Sequence, residues 1–349
     1  MCYYLDMQKE YSYGKIRSDI YNENFGEKKP IKFRKSPLKK FALASGLTVL
    51  LYIIFGELVA YLLPKNELLV NLYRDNYYFR SGLTVILSIF MILIPFFMLF
   101  LFVNRKEKEV TKVFEKKPPL QMLPFIITVS FAVIFFCNYI TTISTSILGL
   151  FGIKAEMPEA EKNLIGVPMI LFEIFSTALV PAVIEEFAIR GVLLQKLRKY
   201  GDTFAIIASS IIFGLMHMNL VQFIFATLLG IFISYTVIRT GSIWTGIAIH
   251  FCNNAYSVIM SVISQRIPDK NYTLFYLVVV GIIMVVAAIS MIILSKNSKD
   301  FYSLQNPGRT KTEQGIYRKL ALKTYFLHPV LIVVIAILVY SMRTTITFG

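Results

Sequence analysis

Three short stretches of the chain hold the side chains that can do chemistry. Glu185 and Glu186 precede Arg190, Phe213 precedes His217, and His250 precedes Asn253 and Asn254. Two carboxylates, two imidazoles and an amide are the groups amide hydrolysis asks for: a base to activate water, donors for a developing oxyanion, and a proton for the leaving amine. Two of the protein's 3 histidines lie in these stretches. Glu186 and Arg190 stand four apart, acid first, the favourable order for an ion pair on one helix face. Glu185 lies about 100° round the same helix, free to face another space while Arg190 neutralises its neighbour. His250 and Asn254 share a face by the same spacing, as do Phe213 and His217.

The elements that carry these groups are apolar. Of 349 residues 56% are hydrophobic and 16% charged, and the mean hydropathy is +0.63. No soluble domain of this length buries that much apolar surface. Apolar runs of about 20 residues, each long enough to cross a bilayer, recur at 41–63, 82–103, 123–147, 164–196, 203–218, 220–238, 243–263, 272–295 and 329–342. The chain reads as an all-α, polytopic transmembrane bundle of eight or nine spans. A soluble enzyme, a secreted disulfide scaffold and a disordered chain are excluded. Cys2, Cys137 and Cys252 are scattered, and no disulfide framework or CxxC metal site follows from them. The net charge of +15 lies in the loops, where topology requires it, so no nucleic-acid partner is expected.

Four parts follow. Residues 1–40 form a basic cytoplasmic tail without a cleavable signal peptide, and 41–163 the N-terminal spans. Residues 164–263 are the core that holds the reactive groups. Residues 264–349 supply the C-terminal spans and a basic cytoplasmic loop at 296–327. Lys and Arg accumulate in 104–121, 196–199 and 296–327, whereas 152–163 carries more Glu than Lys. The alternation places the N-terminus in the cytoplasm and the protein in the cell membrane as a multi-pass chain. At about 1.5 Å per residue, Glu185 falls ~16 Å deep, His217 ~20 Å and His250 ~10 Å, so one mid-membrane pocket can hold all three if their helices are neighbours. Ionisable groups at that depth need partners or a function. Pro181 removes a helical hydrogen bond one turn before the acids, and a kink is expected there. Glu57 and Glu173 are isolated acids in spans, Glu57 reading as a local hydrogen-bonding group and Glu173 without an assigned role; His328 reads as interfacial.

These three motifs, in this order and spacing, resemble those of the CPBP family of intramembrane proteases, which includes type II CAAX prenyl endopeptidases and bacterial Abi proteins. The resemblance covers roughly 164–263 and implies peptide-bond hydrolysis in or at the edge of the bilayer. The residue types then suggest Glu185 as general base, His217 as the group that holds its water, and His250 with Asn254 as oxyanion and carbonyl contacts. Glu186, Arg190 and Phe213 are supports. The family is described both as metal-independent and as metalloprotease. The cofactor is therefore either none or one divalent metal, zinc on His217, His250 and Glu185 being the candidate. The implied partners are the lipid bilayer and a membrane-associated peptide or protein substrate. The readings set against the protease are a non-catalytic scaffold or bacteriocin-immunity protein of the same fold, and a transporter or proton relay. A transporter should show inverted repeats, and none is evident.

Overall fold

The computed structural model describes residues 35–104, 112–158, 161, 164–297 and 311–348. Most of the expected basic tail, part of the loop 104–121 and residues 298–310 lie outside them. The described chain is helical apart from loops and one two-stranded sheet. In chain order its helices are α1 (Lys35–Leu62), α2 (Glu67–Asp75), α3 (Tyr77–Val103), the short α4 (Lys112–Glu115), α5 (Leu123–Leu150), α6 (Val167–Tyr200), α7 (Asp202–Leu215), α8 (Leu220–Thr240), α9 (Ile243–Ser264), α10 (Asp269–Asn297), α11 (Lys311–Phe326) and α12 (Pro329–Ser341). Strands β1 (Ile153–Ala155) and β2 (Ile346–Phe348) pair antiparallel.

Among the described residues 7 helices are long and apolar enough to cross a membrane, or 8 if the pair α11–α12, bent by 74°, is one span. The chain is a polytopic membrane helical bundle, as its hydropathy predicts, but the nine runs resolve differently in two places. The run at 203–218 is the 14-residue α7, shorter than a full crossing. The run at 329–342 is one arm of the bent pair. Helix α1 begins at Lys35, inside the stretch 1–40 read from the sequence as a tail. The basic segment 296–327 is not a loop throughout. Its second half is α11, whose polar composition hid an amphipathic face: Ala321 and Tyr325, one turn apart, are both fully buried. Tyr325 meets Ser45 of α1 through its hydroxyl at 3.0 Å.

Sequence punctuation sets the element ends. Asn66, Asn76 and Asn219 cap α2, α3 and α8, each side chain accepting the backbone N–H three residues on, which satisfies one of the first-turn donors. Gly241 closes α8 in the left-handed conformation at φ +67° and turns the chain into α9. The connections gather at two opposite ends of the bundle. At one, Ser242 Oγ donates to Lys116 O at 2.6 Å and Trp244 Nε1 to Phe114 O at 3.1 Å. At the other, β1–β2 lies beside Asn219, whose Nδ2 donates to Glu156 O at 2.8 Å, and Arg80 pairs with Glu161 at 2.6 Å.

Helices α7 and α8 pack most closely. A Cβ at Gly214 would fall on Thr227 Oγ1 and the Phe223 carbonyl, so only glycine lets the two backbones approach, as small residues do between helices in lipid. The last turn of α7, which carries the chain into His217, is thereby fixed against α8.

Candidate active site

Helix α6 carries both acids and is not a uniform α-helix. Its backbone widens into π-turns at Ile174–Leu179 and Phe187–Leu193, either side of the α-helical stretch Val180–Glu186. Pro181, where the sequence predicts a kink, lies just after the first of these. Pro181 has no N–H for the carbonyl four residues earlier, that of Thr177. Asn254 Nδ2 donates to Thr177 O instead, at 3.3 Å. Asn254 Oδ1 in turn accepts from Asn253 Nδ2 at 2.8 Å.

The two acids point into different spaces. Glu186 and Arg190 are completely buried and paired at 2.7 Å. Arg190 also donates from Nε to Ser234 Oγ at 3.3 Å and from Nη2 to Gly230 O at 3.2 Å, both on α8. Its guanidinium carbon lies 4.6 Å from the centre of the Phe213 ring, a cation–π contact in a desolvated setting. Gly246 of α9 leaves room for the carboxylate: a Cβ there would sit 2.9 Å from Glu186 Oε2.

Glu185 instead faces a cavity of about 120 Å³ lined by Tyr52, Ile92, Glu185, Ala188, Ile189, Phe213, Met216 and His217. That is room for several water molecules. His217 Nδ1 donates to Phe213 O, 2.9 Å away. A carbonyl only accepts, so Nδ1 carries the proton and Nε2 is the nitrogen left for other partners. The Phe213 ring meets His217 edge-on at 4.9 Å and His250 at 5.9 Å. His250, buried on α9, bridges the acids. Its Nδ1 lies 3.0 Å from Glu186 Oε1 and its Nε2 3.8 Å from Glu185 Oε2.

The structure thus brings Glu185, Phe213 and His217 to one cavity, with His250 touching Glu185 from beside it and Glu186–Arg190 beneath. Asn254 does not line the cavity; it ties α9 to α6. Among the described residues, no three or more His, Cys, Asp or Glu side chains gather closely enough to hold a metal ion. Tyr52, Ile92 and Met216 were not singled out from the sequence. Tyr52 is one of 20 tyrosines, and nothing in its local spacing marks it. Glu173 finds its partner in the Tyr77 hydroxyl at 2.8 Å, at the far end of α6.

Fold and site together define a polytopic membrane protein whose buried carboxylate–imidazole cluster is held by three helices. Comparison shows what part of the chain is similar to: residues 167–256, the start of α6 to the middle of α9, match the Rce1-like family, type II CAAX prenyl endopeptidase Rce1-like. The match is confined to this segment, about a quarter of the chain. The chain is also 30% identical over 124 residues to a Bacillus subtilis (strain 168) protein named "Putative membrane peptidase YdiL", which spans 35% of this chain and 49% of that one. The match thus covers about half the length of that curated relative. No solved structure matches the chain.

Proposed function

We propose that the protein is an intramembrane endopeptidase that hydrolyses a peptide bond of a membrane-associated peptide or protein with water activated by Glu185. One observation carries this reading: Glu185 and His217 line the same cavity, while Glu186 is committed to Arg190. A water in the cavity gives a proton to the Glu185 carboxylate as its oxygen attacks the carbonyl carbon. His217 Nε2 holds that water in line. The tetrahedral oxyanion forms on the side of the cavity nearest His250, whose Nδ1 is held by Glu186 and whose Nε2 stabilises it as an N–H donor when the ring carries both protons. Glu185 then passes the proton to the amine nitrogen and the C–N bond breaks. Asn254 acts at one remove, by holding α6 at Thr177.

The cavity lies among helices and its wall is largely apolar, which suits a scissile bond presented at membrane depth. The family match and the membrane peptidase relative support the protease class; the catalytic roles are ours. The test compares membrane peptides of cells that carry the wild type, Glu185→Ala, His217→Ala or His250→Ala. A fragment present with the wild type and lost in all three supports the reading and identifies a substrate. A cellular effect that survives Glu185→Ala overturns it and makes the protein a scaffold. Full activity after exhaustive chelation and metal analysis supports the metal-free route. Recovery only on adding zinc refutes it.

A further inference from the structure

We propose that Tyr52, on α1 and outside the matched segment 167–256, is a positioning residue for His217; the inference rests on the function proposed above. His217 sits in the turn that joins α7 to α8. The carbonyl of Met216 lies at the end of α7, where helical carbonyls lose their partners. The residue four ahead, Leu220, turns its N–H to Thr345 Oγ1 at 3.5 Å instead. Tyr52 supplies the missing donor: its phenol O–H meets Met216 O at 2.7 Å. Two residues later the chain passes through Met218 at φ +50°, the positive-φ non-glycine residue of the described chain. A side chain in that region is strained and persists only where its surroundings hold it. The phenol is one such hold, applied to the peptide unit that enters His217.

The same ring forms part of the cavity wall beside Glu185 and His217. Its one hydroxyl proton is used on Met216, so Tyr52 acts through the backbone of His217 and not as a donor to substrate. Helix α1 thereby supplies to the site a contact that the matched segment does not contain. Phenylalanine keeps the ring and its packing and removes only the donor, which makes Tyr52→Phe the informative change.

The experiment uses the full-length protein in detergent micelles. Diethyl pyrocarbonate acylates unprotonated imidazole nitrogen, and peptide mass spectrometry reads His217, His250 and His328 separately. In Tyr52→Phe the His217 labelling rate should rise several-fold, with His328 unchanged as internal control. On whichever quenched peptide the wild type cleaves and Glu185→Ala does not, kcat should fall about tenfold, the worth of one buried hydrogen bond, with KM unchanged. An unchanged His217 rate, an unchanged kcat, or a change confined to KM overturns the proposal. If no peptide is cleaved in a Glu185-dependent way, the endopeptidase reading fails, and the labelling arm alone decides whether Tyr52 holds His217.

Discussion

The contact between Asn254 and Thr177 makes a prediction that separates a structural amide from a catalytic one. If Asn254 serves as the donor that Pro181 cannot be, its cost of removal must depend on what stands at position 181. Asn254→Ala leaves the Thr177 carbonyl without this donor. An unmet buried acceptor costs about 1–3 kcal/mol, and the 3.3 Å separation is long for an N–H···O bond, whose usual value is about 2.9–3.0 Å. The lower end, roughly 1–1.5 kcal/mol, is therefore expected. Asn253, half-buried, loses the acceptor of its Nδ2 as well. Pro181→Ala restores an N–H at the position from which an α-helix serves Thr177. In that background Asn254→Ala should cost less than about 0.5 kcal/mol, a coupling on the order of 1 kcal/mol between residues on different helices.

The assay is thermal unfolding in micelles followed with a thiol-reactive dye. Cys137 is buried and Cys252 half-buried, and replacement of Cys2 by serine confines the signal to them. Each kcal/mol should move the midpoint by about 2–4 °C. Equal costs of Asn254→Ala with proline and with alanine at 181 would refute the reasoning. So would a hundredfold fall in kcat that leaves the midpoint unmoved in both backgrounds, since that is how an oxyanion donor behaves.

Other outcomes follow from the same geometry. Glu185→Gln should leave the unfolding midpoint in place and lower kcat by about 10²–10⁴-fold, the usual worth of a general base; a loss of folding instead would make Glu185 a structural acid. Arg190→Met strands the buried Glu186 carboxylate and should cost about 3–5 kcal/mol, whereas Glu186→Gln with Arg190→Met should recover at least half of the loss in midpoint. Gly246→Ala puts a methyl 2.7 Å from Val237 Cγ2 and 2.9 Å from Glu186 Oε2, and should destabilise by about 1–3 kcal/mol; an unchanged midpoint would mean that α9 is free to move away from α6.

The candidate site was legible in the sequence because lipid makes polar residues conspicuous. Glu185, Glu186, Arg190, His217 and His250 stand out against apolar spans, and four-residue spacing correctly separates the acid that Arg190 neutralises from the one that faces the cavity. The helices were legible for the same reason, through length and hydropathy. What escaped depends on contacts between distant segments. Tyr52 lies over a hundred residues before His217, and nothing local aims it at Met216. Asn254 shares a face with His250, as the spacing says, yet its partner is set by a missing N–H on α6 that only the packing of α9 against α6 reveals. Helix α11 was hidden because its exposed face is polar, and α7 was over-extended because apolar residues continue through the turn at Met216 and Met218.

The arrangement around Glu186 also fixes where a proton can reside. Glu186 Oε1 accepts from Arg190 and lies 3.0 Å from His250 Nδ1. A carboxylate held by a guanidinium has lone pairs and no proton to offer, so Nδ1 of His250 must be the donor. Its other nitrogen, Nε2, therefore either holds a lone pair or a second proton, and it faces Glu185 Oε2 at 3.8 Å. Arg190, which does not itself line the cavity, thus dictates through two contacts which histidine nitrogen meets the catalytic candidate. A neutral glutamine at 186 keeps an oxygen acceptor but weakens both charge-assisted bonds. The π-turns lie on either side of the acids and shift the helical phase beyond them, whereas Glu185 and Glu186 diverge by the ordinary step of about 100° of the α-helical stretch Val180–Glu186 that holds both.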